Sequence, residues 1–283
     1  MKFFTSFRYI TQNNIKLITI IFLIYLIWDG LIFGAEADTF LAVILFQLIL
    51  ALISISSVGS FVLRFIYGVQ DLSENHRAFE LFDEVYENVK EKFPDCPNDI
   101  KIYLDRDMTV NAYAIGNNTI VVNRGTLETL NDDHIRGILA HEFGHLIHKD
   151  TSIPLFLLIG NMICLIYFAV LKLFEWITKI ILFILPNQSG MYQYLTTGVQ
   201  KVINLGIQAI LFIIQGVILI NQRKNEFQSD SFAYEIDYGD DLLGALRILD
   251  KMDLSGNRGI LERIKASHPY ITDRIMKLEN LMS

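Results

Sequence analysis

The chain has little cysteine, few charged residues and no excess of basic ones, and each shortage excludes a class of protein. Its 283 residues include only Cys96 and Cys164, far apart and without a C-x-x-C pair, so neither a disulfide framework nor a thiolate metal site is indicated. Charged residues make up 19% of the chain, whereas soluble domains average about 25%, which indicates that much of it lies in lipid. The net charge of −7 argues against a nucleic-acid partner, which would need a basic face.

Four long apolar runs account for the low charge. They cover residues 15–33, 40–61, 153–171 and 202–220. Each run is long enough to cross the roughly 30 Å hydrocarbon layer as a helix, so we predict four transmembrane spans. The first could instead be a signal peptide, but it is longer than a typical signal core and the second follows at once. The charges at Lys172, Glu175 and Lys179 leave open whether the third span crosses fully or dips and returns with the fourth.

Basic residues predict the orientation, because lysine and arginine favour the cytoplasmic side of a membrane. They lie before the first span and after the second, for example at Arg8 and Arg64. They also lie before the third span at Lys149 and after the fourth at Arg223. We therefore expect a multi-pass protein of the cytoplasmic membrane whose larger soluble segments face the cytoplasm.

The spans divide the chain into four parts. We predict an N-terminal transmembrane hairpin at 1–68, a soluble segment at 69–152, a second transmembrane pair at 153–220 and a second soluble segment at 221–283. The first soluble segment contains an amphipathic helix at 73–92. Strands follow at 101–104, 111–115 and 119–123. The last two strands flank the turn signal Gly116-Asn117-Asn118, so we expect a small antiparallel sheet.

Residues 141–145 read His-Glu-Phe-Gly-His, within a run that has helical periodicity and no proline. Residues four apart lie on the same face of a helix, so His141 and His145 can direct both imidazoles at one metal ion, with Glu142 beside them. This H-E-x-x-H spacing is typical of zinc hydrolases. Two surface histidines one turn apart would give the same spacing, although a chain of this length matches the pattern by chance less than about once in a hundred.

A third ligand must come from elsewhere, because a catalytic zinc site commonly takes three protein ligands and leaves a fourth place for water. Glu226, in the soluble segment after the fourth span, is the candidate. Asp230 lies one helical turn further on and is placed to accept the second ring N–H of a liganding histidine. An ordinary acidic helix face beside the membrane would show the same spacing, and that alternative stays open here.

These residues resemble the HtpX-like membrane zinc metalloproteases, the group that also contains the CAAX prenyl-protein endopeptidases. Four segments carry the resemblance, in the family's order: Asn-Ala-Tyr-Ala-Ile-Gly at 111–116, the stretch 120–150 with H-E-x-x-H, the stretch 223–230, and His268-Pro269 with Arg274. Departures are mild. Ser229 stands where the family usually has alanine, and His134 where an acidic residue is common at the start of the helix.

The resemblance implies a fold, a cofactor and a set of roles. The fold is a mainly α integral membrane protein with transmembrane helices and an α+β zincin-like catalytic domain, and the cofactor is one Zn²⁺ per chain. His141, His145 and Glu226 would bind the zinc. Glu142 would act as the catalytic base, and Asp230 would orient a ligand from behind.

The resemblance also implies how a substrate is held. An extended polypeptide would add as a strand beside the edge-strand residues Asn111, Ala112, Tyr113 and Ala114. His268, together with Arg274, would help to polarise the scissile carbonyl. The nature of the family implies polypeptide substrates, above all membrane or misfolded proteins, and a role in protein quality control.

Two other functions compete with this interpretation. A CAAX-type prenyl-protein endopeptidase would use the same zinc site, but those enzymes carry more spans than the four predicted here. A membrane metal transporter or sensor would be expected to place its ligands at membrane depth, whereas the candidate ligands here lie in soluble sequence. The sequence gives no indication of the oligomeric state.

Overall fold

The structure is a computed structural model of the chain. It describes residues 41–42, 44–45, 48–49, 52, 56–72, 76–94, 96–116, 118–149, 151, 170, 173, 176–177, 180, 201, 208, 224–254 and 271–283. His268 and almost all of the predicted spans at 15–33, 153–171 and 202–220 lie outside the described residues. Within the described part of the chain, no helix combines the length and the apolar character needed to cross a membrane.

All the described strands come before the metal motif, and the described elements after it are helices. They are α1 (Ser57–Tyr67), β1 (Gln70–Asp71), α2 (Arg77–Lys92), β2 (Lys101–Asp105), β3 (Ala112–Ile115), β4 (Thr119–Asn123), α3 (Arg124–Thr129), α4 (Asp132–His148), α5 (residues 224–235), α6 (Gly239–Leu254) and α7 (Ile271–Met282). The three predicted strands are confirmed to within one residue. The predicted span at 40–61 is interrupted, because Ser56 is extended and its hydroxyl caps a new helix by accepting from the Val58 N–H at 3.2 Å.

The four strands form one sheet in the order β1-β2-β4-β3. The sheet is mixed and not antiparallel throughout. The β3–β4 pair is antiparallel, as predicted, but β2 and β4 run parallel, with Ile102 opposite Ile120. The cause is the path of the chain. The connection after β2 passes the position of β4 to reach the outer edge, and β3 then returns through the turn at Gly116 so that β4 inserts between them.

The two faces of the sheet are covered differently. Side chains of a strand alternate between faces, so Ala112, Ile120 and Val122 join the main core on the α4 side. Tyr103 and Val121 join a smaller cluster on the opposite side, where α1 lies. The sheet therefore separates a large core, which includes the metal motif, from a small core beneath α1.

Helix α4 is buried on nearly every side, which fixes its position. Asn131 caps its start by accepting from the His134 N–H at 2.9 Å. Phe143 stacks on the rings of Phe82 and Tyr86 from α2, with centroids 5.3 and 5.4 Å apart. The helix carrying the metal motif is thus held by aromatic packing on the side away from its histidines.

Candidate metal centre

The two histidines of the motif lie one turn apart on α4 and point to the same side. Their Nε2 atoms are 3.1 Å apart, and both residues are at least nine-tenths buried. The rings meet edge to face with centroids 4.7 Å apart. Helical geometry alone brings these two nitrogens together, as the spacing predicts.

A close approach between α4 and α5 brings the third group to them. A Cβ atom on Gly144 would lie only 2.9 Å from Ser229 Cα, so the two helices can touch here only because residue 144 has no side chain. Ser229 lies between Glu226 and Asp230, which are both buried. The contact therefore places these two carboxylates of α5 against the histidine face of α4.

Three ligand atoms converge in this way, one each from His141, His145 and Glu226, and all lie within 4.8 Å of one another. Glu226 Oε2 is 3.4 Å from His141 Nε2, and Glu226 Oε1 is 3.5 Å from His145 Nε2. A tetrahedral zinc ion with bonds of about 2.0–2.1 Å would hold its ligand atoms about 3.3 Å apart. Two imidazoles and a carboxylate also suit zinc chemically, so the residues fit the ion.

Asp230 orients His141 from behind. Its Oδ1 lies 2.9 Å from His141 Nδ1, so this nitrogen carries the ring proton and donates a hydrogen bond to the carboxylate. Nε2, on the other side of the ring, then keeps its lone pair for a metal. The interaction is the one that the spacing of Glu226 and Asp230 predicts for a liganding histidine.

Arg274 of α7 closes the cluster. Its Nε and Nη2 contact the two oxygens of Asp230 at 2.9 and 2.6 Å, a bidentate geometry, and its Nη1 lies 3.0 Å from Glu226 Oε2. The side chain is only about 6% exposed. One guanidinium therefore fixes both the carboxylate of the candidate ligand Glu226 and the carboxylate of Asp230 that contacts His141. The polarising role implied for Arg274 stays a prediction, since its nitrogens face these two acids.

The pKa values follow from this arrangement. Burial alone would raise the pKa of Asp230, but the charges and hydrogen bonds of Arg274 and His141 together outweigh burial and lower this pKa to about 2. Burial lowers the pKa of Arg274, but Asp230, Glu226 and Glu142 more than reverse this and hold it above its ordinary value. Burial and Arg274 also lower the pKa of His141, yet its hydrogen bonds to Asp230 and Glu226 leave the net shift upward. Asp230 thus remains charged beside a buried cation.

Among the other predicted site residues, Glu142 and those near β3 are described by the structure, and His268 lies outside the described residues. Glu142 follows His141 on α4, is 4% exposed, and is close enough to influence Arg274 electrostatically. The predicted substrate-binding residues lie on or next to β3, at the edge of the sheet among the described strands. The sequence did not point to Gly144 as a packing residue, although a glycine inside an otherwise helical pattern was the available signal.

Strand β3 offers its backbone unevenly. The backbone of Asn111 is occupied by Thr126, whose hydroxyl accepts from its N–H at 2.7 Å and donates to its carbonyl at 2.6 Å. In an antiparallel pair, residues alternate between facing the partner strand and facing away. The backbone groups of Asn111 point towards the β4 side, so those of Tyr113 do too. Ala112 and Ala114 therefore direct their N–H and C=O groups to the outer edge of the sheet. The Tyr113 side chain lies on the α1 face, where its hydroxyl donates to Asp105 at 2.9 Å.

The geometry has a counterpart in known proteins. Residues 74–282 match the model of Peptidase family M48, a stretch that contains all three candidate ligands. Protease HtpX of Legionella pneumophila (strain Lens) is 27% identical over 175 residues, which cover 60% of this chain and 56% of that protein. Protease HtpX of Pseudomonas putida (strain KT2440) is 29% identical over 187 residues, covering 59% of this chain and 61% of that protein.

The similarity thus spans somewhat more than half the length of these curated relatives. A solved structure, the crystal structure of S. mikatae Ste24p, is similar with a TM-score of 0.54 at 18% identity. The superposition covers 98% of this chain and 67% of that chain. At this identity the likeness is one of fold.

Proposed function

The chain belongs to peptidase family M48, and from that premise we propose that it is a membrane-anchored zinc endopeptidase. It would hydrolyse peptide bonds of membrane or misfolded proteins at the cytoplasmic face of the membrane, as a step of protein quality control. The observation that carries the proposal is the convergence of His141, His145 and Glu226 at separations of 3.1 to 3.5 Å, beside a buried glutamate.

The three ligands would hold zinc and leave its fourth position open. When bound, the ion supplies Lewis-acid polarisation of a carbonyl and lowers the pKa of a water molecule towards about 7. Asp230 fixes the His141 ring for this task, and Arg274 fixes Asp230 and Glu226 in turn. Misplacing any of these groups would disturb the geometry that the ion requires.

Glu142 is the proposed general base. It lies next to His141 on α4, so a helix that directs the histidines at the ion also brings this carboxylate to the same region. It would accept the proton of the attacking water and pass it to the leaving amine. No covalent intermediate is needed, because water itself is the nucleophile.

Strand β3 is the proposed binding site for the substrate backbone. Ala112 and Ala114 direct their backbone groups outward from the sheet, and an extended peptide can pair with them as an added strand. Binding of this kind depends on backbone groups and makes few demands on side chains, so we expect broad sequence specificity. The other two predicted residues, Asn111 and Tyr113, would contribute through position and packing rather than through backbone pairing.

The membrane location is supported by the apolar runs of the sequence and by the placement of the basic residues around them. A proteolytic centre in soluble segments that alternate with spans would meet polypeptides close to the bilayer. Membrane proteins with exposed or unfolded segments are therefore the proposed substrates.

The substitution Glu142→Gln tests the mechanism, because the amide keeps the shape of the side chain but cannot accept a proton. We expect the purified variant to retain stoichiometric zinc and to lose casein hydrolysis by a factor of about 10²–10⁴. Glu128→Gln, an exposed glutamate of α3 paired with Arg124 at 2.6 Å, is the matched control and should leave both readouts unchanged. Full activity of the Glu142→Gln variant would exclude Glu142 as the base.

A further inference from the structure

Helix α1 turns its polar side towards the protein and its apolar side outward. Ser60 is fully buried, and Arg64 donates to Thr119 Oγ1 at 2.7 Å, with its guanidinium 5.1 Å from the centre of the Tyr103 ring. The outward-facing residues are Val58, Phe61, Val62 and Phe65, which are 57%, 61%, 38% and 81% exposed. A surface helix in water has the opposite arrangement, so the outer face of α1 is built to contact something apolar.

The helix begins close to a predicted membrane span. Leu52 is helical and exposed within the apolar run at 40–61, and Ser56 caps α1 four residues later. Four residues extend over at most about 14 Å. The start of α1 therefore lies in the last part of that run, within this distance of Leu52, and the only charge of α1, on Arg64, is turned towards the sheet.

A second part of the chain approaches the membrane at the same place. The turn between β3 and β4 packs on α1 so closely that a Cβ atom on Gly116 would meet the Ser60 hydroxyl. Thr151 donates a hydrogen bond from its hydroxyl to the Gly116 carbonyl, two residues before the predicted span at 153–171. The last residues of one predicted span and a residue just before the next thus meet at a single turn.

We propose that the lipid bilayer covers the outer face of α1, and that the β3–β4 turn is the end of the catalytic domain that lies on the membrane. An apolar helix face of this kind sinks about 5–10 Å into the boundary between headgroups and acyl chains. Aromatic residues such as Phe61 and Phe65 suit that depth, and the inward-turned Arg64 ties the helix to the sheet. This inference rests on the membrane anchoring of the proposed function and adds the orientation of the domain.

The orientation determines which parts of a substrate can be cut. Ala112 and Ala114 lie four and two residues before Gly116. At about 3.4 Å per residue, their distances from the turn, measured along the strand, are about 14 and 7 Å. The edge strand would therefore bind segments next to the membrane surface, rather than segments far out in the cytoplasm.

A fluorescent reporter tests this directly. The chain has only two tryptophans, Trp28 and Trp176, and both are replaced by phenylalanine in the full-length background. F65W then places a reporter on the outer face of α1, at a position exposed enough to accept it without repacking. M108W is the matched control, since Met108 is 57% exposed in the loop before β3, at the other end of the strand.

Each variant is reconstituted in phosphatidylcholine vesicles, with and without bromine near the top of the acyl chains, and vesicle flotation establishes insertion. We expect brominated lipid to remove more than half of the F65W emission and to leave M108W nearly unchanged, because only the outer face of α1 would reach acyl depth. Floating protein whose F65W emission is unquenched would overturn the inference, whether the emission indicates water or a protein neighbour. Equal quenching of M108W would overturn it as well.

These outcomes are separate from those that test the protease. Quenching requires no catalysis, so a failed Glu142→Gln experiment would leave the orientation standing. Protein that does not float with vesicles would contradict both the membrane anchoring and this inference. Floating, active protein with unquenched F65W would contradict the inference alone.

Discussion

The two sides of α4 are built on opposite principles. One side is aromatic, where Phe143 stacks on Phe82 and Tyr86 with nothing polar between the rings. The other side carries His141 and His145, which face carboxylates and a guanidinium in an equally buried setting. Apolar burial tolerates many partners because it is not directional, whereas a buried polar group must meet specific partners with good geometry.

This difference separates the residues of α4 that stabilise the fold from the residues of α4 that belong to the candidate metal site. The aromatic side contributes free energy of folding through burial alone. The polar side gathers three acids around one buried arginine, an arrangement that burial by itself opposes. We therefore expect substitutions on the aromatic side to reduce stability without altering metal binding, and substitutions on the polar side to alter both.

The largest effect is expected for Arg274→Gln, because it removes the guanidinium that contacts both Asp230 and Glu226. Breaking a buried charge pair by removing one partner typically costs about 3–5 kcal/mol. We expect a loss of this size in denaturant unfolding of the metal-free protein in detergent, together with substoichiometric zinc after purification.

The control for this variant is Arg247→Gln. Arg247 pairs with Glu279 at 2.7 Å between α6 and α7, but both side chains are about half exposed, so the expected loss is at most about 1 kcal/mol. Equal losses in the free energy of unfolding for the two variants would show that Arg274 contributes no more than a surface arginine. The proposed difference between the two sides of α4 would then be wrong.

Phe143→Ala should be similarly costly for the fold but not for the metal. Phe143 is fully buried, and truncating a buried phenylalanine costs about 3–5 kcal/mol. The folded fraction should nevertheless bind one zinc per chain, measured by metal analysis after separation of unfolded protein. Phe79→Ala, a partly buried residue of α2, should destabilise less. Zinc loss in correctly folded Phe143→Ala protein would break the distinction between the two sides.

Gly144→Ala acts on the boundary between the two sides and should have an intermediate effect. The new methyl group would lie 2.9 Å from Ser229 Cα, a backbone atom that cannot move alone, so α5 must shift. We expect a cost of about 1–3 kcal/mol, as for other overpacked cores. In a competition titration, we expect the loss in free energy of zinc binding to exceed the loss in free energy of unfolding, because Glu226 moves with α5.

Gly244→Ala on α6 is the matched control. The three atoms nearest to its methyl group would all belong to the His134 ring, which can move, and alanine is about 1 kcal/mol better than glycine inside a helix. This variant should be neutral or more stable, with unchanged zinc affinity. If Gly144→Ala behaved in the same way, the close contact of α4 with α5 would not position Glu226.

The part of the site that lies on one helix could be predicted from the sequence. His141, Glu142 and His145 are related by helical periodicity alone, and Asn131 is a residue type that caps helices. The relation of Asp230 to Glu226 follows from the same periodicity. Periodicity does not predict the partners of Arg274, because its contacts with Asp230 and Glu226 depend on how α7 packs on α5.

The fold shows the same limit. Local turn signals predict the β3–β4 hairpin, but the parallel pairing of β2 with β4 depends on which side of β4 the chain passes, and no local signal encodes that choice. Strand β1 has two polar, exposed residues and shows no strand pattern. The start of α1 did have a signal, since Ser56 is a good capping residue inside an apolar run.

The smallest effect is expected on α5, where two serines two residues apart differ in hydrogen bonding. Ser229 is fully buried, and its hydroxyl has no hydrogen-bond partner among the described residues, whereas Ser231 donates to the Phe227 carbonyl at 2.9 Å. Burying an unsatisfied hydroxyl is unfavourable, so Ser229→Ala should raise stability by about 1 kcal/mol, and Ser231→Ala should lower it by about 0.5–1 kcal/mol. Denaturant midpoints in the same detergent measure both. A destabilised Ser229→Ala variant would show that this hydroxyl is satisfied, and that the polar side of α4 is better solvated than the contrast with Phe143 implies.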